Sequence, residues 1–106
     1  MAKYLFQASL TESGLKGTLK EGGSKRKEAV TQAVKSMNGT VEAYYYAFGK
    51  TDVFCIADLP DNVSAAALAL MITAAGGATI STTVLITPEE ADQAAKKTIA
   101  YRAPGK

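Results

Sequence analysis

The chain has 106 residues, 47% of them apolar and 21% charged, and a net charge of +2, which fits one globular domain around one core. So small a net charge gives no reason to expect nucleic acid or an anionic membrane as partner, and the longest apolar run, Ala65 to Ile72, is too short to span a bilayer. The single cysteine excludes an internal disulfide, and the lack of any histidine removes the commonest general base and metal ligand, so neither a metal nor a cofactor is expected.

Lys3 to Leu10 reads as a strand, with Tyr4, Phe6, Ala8 and Leu10 on one face and Lys3, Gln7 and Ser9 on the other, a polar face that Leu5 interrupts. Thr11 to Gly23 contains four glycines and little periodicity, and predicts a loop with a short helical turn near Ser13 to Leu19. Ser24 is placed to cap a helix in which Ala29, Val30, Ala33, Val34 and Met37 recur at helical spacing. Asn38-Gly39 ends that helix with residues that tolerate a left-handed turn. Two strands follow, Thr40 to Phe48 and Asp52 to Leu59, joined by a turn at Gly49 to Thr51. Asp61 caps an alanine-rich helix over Asn62 to Ala75, with Leu68, Met71, Ile72 and Ala75 as its core stripe. Ala78 to Ile86 is the fourth strand. Thr87-Pro88-Glu89-Glu90 opens a last helix that runs to about Ile99, and residues 102–106 form a loose tail.

The order β-α-β-β-α-β plus a C-terminal helix predicts an α+β, ferredoxin-like domain over residues 1–106, with a four-stranded antiparallel sheet and its crossover helices on one face. The other face is bare unless something covers it. The central hairpin does not alternate cleanly between apolar and polar. Its first strand presents Val41, Ala43, Tyr45 and Ala47 on one side and Glu42, Tyr44, Tyr46 and Phe48 on the other; its second presents Val53, Cys55, Ala57 and Leu59 against Phe54, Ile56 and Asp58. So much apolar sheet surface predicts a homodimer or higher homo-oligomer, with a fold of the C-terminal helix over that face as the rival.

The segment Tyr45-Tyr46-Ala47-Phe48-Gly49-Lys50-Thr51-Asp52-Val53, followed by Ile56 and Leu59-Pro60-Asp61, resembles the GYD domain family. Gly49, Lys50 and Asp52 match its Gly-x-Tyr-Asp signature, and Thr51 stands where the family usually has tyrosine. The likeness runs over most of the chain. It implies a small dimeric α/β-barrel protein with ferredoxin-like topology, a class whose members include cofactor-independent monooxygenases, isomerases and ligand-binding proteins, so fold alone does not choose an activity.

The chemistry-bearing residues are few. Tyr44 and Tyr46, with Phe48, Phe54 and Phe6, are the candidate lining of an apolar pocket with polar tips, and Asp52 is a carboxylate at its mouth or, on the simpler reading, a turn residue beside Gly49. Cys55 lies mid-strand with no histidine to activate it and reads as a small apolar residue. Lys25, Arg26 and Lys27 read as a solvated basic face. Thr51 to Asp58 holds Phe54 but not the flanking basic pattern of an RNA-recognition strand. The N-terminal segment has too short an apolar core for a secretory signal, and a cytoplasmic location is expected. Three functions fit: a homo-oligomer binding a small apolar or aromatic molecule between sheet and helices, a cofactor-independent monooxygenase-like enzyme, and a structural or regulatory oligomer without ligand. No catalytic residue is assigned.

Overall fold

Alternating side chains commit the first strand to a two-faced role, and the rest of the chain is built around it. The computed structural model describes residues 1–106. Strand β1 (Ala2–Leu10) lies inside a four-stranded sheet of order β2-β3-β1-β4, made with β2 (Thr40–Tyr46), β3 (Val53–Leu59) and β4 (Ala78–Leu85). Every adjacent pair is antiparallel. This is the ferredoxin-like arrangement, an α+β fold with four helices: α1 (Glu12–Glu21), α2 (Gly23–Ser36), α3 (Asn62–Ala74) and α4 (Pro88–Ala95).

The core sits between the sheet and α2 and α3. Tyr4 and Phe6 from β1, Cys55, Ala57 and Leu59 from β3, Val34 from α2, and Ala65 and Leu68 from α3 form one buried cluster. The Tyr4 hydroxyl donates to Asn62 Oδ1 at 2.6 Å, so this buried phenol has a partner at the start of α3. Helix α2 ends at Ser36 with Met37 as its C-cap; Asn38, at φ 61°, takes the left-handed turn that follows, and Gly39 N–H returns to the Val34 carbonyl at 3.0 Å. A side chain at Gly39 would meet the Asp58 carbonyl at 2.5 Å and Leu59 Cδ2 at 2.6 Å, so the helix-to-sheet approach there requires glycine.

Several expectations are corrected. Thr11 to Gly23 is not a loop with a short turn. Thr11 Oγ1 accepts from Gly14 N–H at 3.1 Å and donates to the Gly76 carbonyl at 2.6 Å, and Lys16 pairs with Glu12 one turn below at 3.0 Å; together these support a ten-residue helix despite its glycines. Because α1 runs to Glu21, α2 follows from Gly22 at φ 92°, a conformation open to glycine, and Ser24 falls inside the helix rather than at its cap. Gly49 does not adopt positive φ, so the turn does not need it for that reason. In α3 Ala65, Leu68 and Ile72 pack with the core, while Met71, 71% exposed, and the C-cap Ala75 border a cavity beside α3 rather than the buried cluster.

The face expectation for β2 also changes. A bulge at Glu42 pairs Val41 with Ala57 and Ala43 with Ile56, two residues of β2 against one step of β3. Val41 therefore shares the helix-covered face with Tyr44 and Tyr46, while Ala43 and Tyr45 share the other with Phe54 and Ile56. On that second face Leu5, Ile56 and Ala43 align across three strands, and Phe54 and Tyr45 form the next row. Lys3 bounds the patch, bridging Glu42 at 2.8 Å and Asp58 at 3.0 Å.

The C-terminal helix does not fold over this face. It opens with the expected capping box, Glu90 N–H to Thr87 Oγ1 at 3.1 Å and Thr87 N–H to Glu90 Oε1 at 2.9 Å, but ends at Ala95 rather than near Ile99, ahead of β-branched Thr98 and Ile99. Every residue from Ile86 to Lys106 is exposed. The molecule measures 57 × 33 × 23 Å, with this segment extending from the sheet-and-helix body. No helix is long and apolar enough to cross a membrane.

Candidate functional site

Helices α2 and α3 both rest on the sheet, with few close backbone approaches between them. The space left between them, roofed by α1, is a cavity of about 450 Å³. Its floor is the helix-covered face of the sheet, with Phe6 and Ala8 of β1, Cys55 of β3 and Ile80 of β4. Its walls are Val30 and Ala33 of α2 opposite Leu68 and Ile72 of α3. These positions are apolar because each belongs to the inward period of its element.

The roof is thin because of glycine. Gly14 and Gly17 lie one helical turn apart on α1, and both face the cavity. At Gly14 a side chain would overlap the Gly77 carbonyl, so α1 can sit against the turn between α3 and β4 only with glycine there. Thr11 N–H to the Gly77 carbonyl at 3.1 Å and Ser13 Oγ to the Gly76 carbonyl at 3.2 Å complete that attachment. At Gly17 nothing lies within 4 Å of where a Cβ would be.

Polar groups enter from the β2 side. Tyr44 and Tyr46 meet edge to face, with ring centroids 5.5 Å apart. The Tyr46 hydroxyl donates to the Gly23 carbonyl at 3.0 Å, and its ring lies where a side chain on Gly23 would be, so this phenol fixes β2 to the junction of α1 and α2. The Tyr44 hydroxyl has the Tyr46 hydroxyl as its polar neighbour. Burial, and next the neighbouring Tyr46 hydroxyl, raise the Tyr44 phenol well above its ordinary range, so it is a neutral O–H at physiological pH. Arg26 lines the same end, its Nη1 at 3.6 Å from Glu21 Oε1. On the floor, burial pushes the Cys55 thiol up to about 11, the opposite of what a nucleophile needs.

Of the six residues expected at a ligand site, Phe6, Tyr44 and Tyr46 line this cavity. Phe48, Asp52 and Phe54 do not. Strand β2 ends at Tyr46, so Phe48 lies in the hairpin loop, fully exposed. Phe54 points to the uncovered sheet face, one step out of phase with Cys55. Asp52 accepts the Leu10 N–H through Oδ2 at 2.8 Å and ties the hairpin to the end of β1. The helical lining from Val30, Ala33, Leu68 and Ile72, and the roof glycines, were not identified as site residues in the sequence. The available signal was the pair Gly14 and Gly17, three residues apart.

A model of the GYD domain family matches residues 4–95. No curated protein and no solved structure matches the chain.

Proposed function

The chain belongs to the GYD domain family, and from that premise we propose that it binds a small apolar or aromatic molecule between its sheet and helices, working as a homodimer joined through the uncovered sheet face. One observation carries the binding reading: a cavity of about 450 Å³ with an apolar floor and walls and a few polar groups gathered at one end. That size and composition are those of small-molecule sites, which run from about 300 to 1,000 Å³. Binding is favoured over turnover because neither Tyr44 nor Cys55 is set to take a proton, both being driven toward their protonated forms.

The uncharged fluorophore N-phenyl-1-naphthylamine tests the cavity. Saturable binding of one molecule per chain is expected, and Gly17→Leu, which builds into open roof space, should abolish it while leaving the far-UV circular dichroism spectrum unchanged. Absence of saturable binding, or binding indifferent to Gly17→Leu, refutes the reading.

The dimer rests on the patch of Leu5, Ala43, Tyr45, Phe54 and Ile56, which the chain's own C-terminal segment leaves uncovered. Sedimentation should give twice the 11.1 kDa chain mass, and Ile56→Glu should return the protein to the monomer. A wild-type monomer at high concentration removes this part of the proposal.

A further inference from the structure

The polar end of the cavity is unequally supplied with hydrogen-bonding groups. Of its two phenols, Tyr46 is committed to the Gly23 carbonyl at 3.0 Å, whereas the Tyr44 hydroxyl has only the neighbouring Tyr46 hydroxyl beside it, and an entering acceptor would compete for its proton. Arg26 adds a guanidinium with five N–H donors. Its carboxylate contact, 3.6 Å to Glu21, is well beyond the roughly 2.7–2.9 Å of a tight charge-assisted bond and leaves donors available. Arg26 and Tyr44 line the same cavity, as does Glu21, the one carboxylate that an entering anion would displace from Arg26. Arg26 also stands between Lys25 and Lys27 in a first helical turn that has no acidic residue. Positive charge at a helix start is locally unfavourable, and an anion in the adjoining cavity would offset it.

We propose that the ligand is a monocarboxylate with an apolar or aromatic body, its carboxylate received by Arg26 and the Tyr44 hydroxyl and its body lying over Phe6 and Cys55 between Ala33 and Ile72. This rests on the cavity reading and adds a polarity to it. The carboxylate lies at the β2 and α2 end, and the body extends toward α3. Charge-assisted bonds to a carboxylate are about twice as strong as neutral ones, so head-group recognition governs selectivity while the apolar walls accept a range of shapes.

The test compares 2-naphthoate with 2-methylnaphthalene, which share a ring system, by titration calorimetry or ligand fluorescence on the full chain at fixed ionic strength. The wild type should bind naphthoate at least about tenfold more tightly, the value of one good charged hydrogen bond. Arg26→Gln and Tyr44→Phe should each remove most of that preference, weakening naphthoate binding far more than methylnaphthalene binding. Lys25→Gln removes an equal charge at an exposed position outside the cavity lining and should leave the preference intact. Equal binding of both probes, or a preference insensitive to Arg26→Gln and Tyr44→Phe, overturns the carboxylate assignment while the cavity stands. A preference lost equally in Lys25→Gln overturns it in favour of general electrostatics. If neither probe binds, the cavity reading falls and the carboxylate assignment with it.

Discussion

One substitution made at two positions of α1 should change stability in opposite directions. Glycine within a helix costs about 1 kcal/mol relative to alanine. At Gly17 a methyl group enters open space, so Gly17→Ala should recover most of that amount. For a domain of this size the gain corresponds to a rise in Tm of about 5 °C. At Gly14 the same methyl group overlaps the Gly77 carbonyl. Making room means lifting α1 from the turn before β4, which loosens three bonds: Thr11 N–H to Gly77 O at 3.1 Å, Thr11 Oγ1 to Gly76 O at 2.6 Å and Ser13 Oγ to Gly76 O at 3.2 Å. With the three bonds weakened rather than lost, about 2 kcal/mol in all, and an overpacking cost of about 1 kcal/mol, the loss outweighs the propensity gain of about 1 kcal/mol. Gly14→Ala should therefore destabilise by about 2 kcal/mol and lower Tm by on the order of 10 °C. The assay is thermal unfolding by circular dichroism at one chain concentration, because self-association would shift Tm by mass action. Shifts of the same sign in both variants, or a loss at Gly17, would refute the account of how α1 is seated.

Two further outcomes follow from the hairpin and the cavity floor. Asp52→Ala should cost about 1–2 kcal/mol in urea unfolding because the Leu10 N–H loses its acceptor, and Asp52→Asn should recover much of it through the amide oxygen; a neutral Asp52→Ala would show that the bond contributes nothing. The Cys55 thiol, ordinarily near 9.0, is at about 11 in the fold. The folded state thus holds this proton more tightly than the unfolded chain, so stability from Cys55 is intact below about pH 9 and declines by about 2–3 kcal/mol as pH rises toward 11. The raised Tyr44 phenol acts in the same direction from its ordinary value of 10.0 upward, overlapping the upper part of that interval. Urea midpoints across that interval should fall less steeply in Cys55→Ala than in the wild type, and identical slopes would exclude burial of the thiol as the cause.

The strands and their order were legible because alternation in β1 and the turn residues around β3 leave one consistent topology. Helix α1 was not, since its glycines reduce local propensity and its stability comes from Thr11 reaching Gly76 and Gly77, residues distant in sequence. The site divides in the same way. Phe6, Tyr44 and Tyr46 follow from strand parity, whereas Phe48 and Asp52 depended on where β2 stops and β3 starts, and Phe54 on which sheet face the helices cover. Ala33 and Ile72 come together only when two helices are set on one sheet, and a linear pattern does not record that spacing.

The surplus residue at Glu42 gives the hairpin slack. Val41 and Tyr44 already face the same way three positions apart, so a chain lacking Glu42 would pair as a plain ladder with both phenols still turned inward. Lys3 would forfeit one of its two carboxylates and retain Asp58. Shortening by one residue at this point is thus absorbed without cost to the cavity, whereas the same excision between Tyr44 and Tyr46 would leave one phenol facing outward.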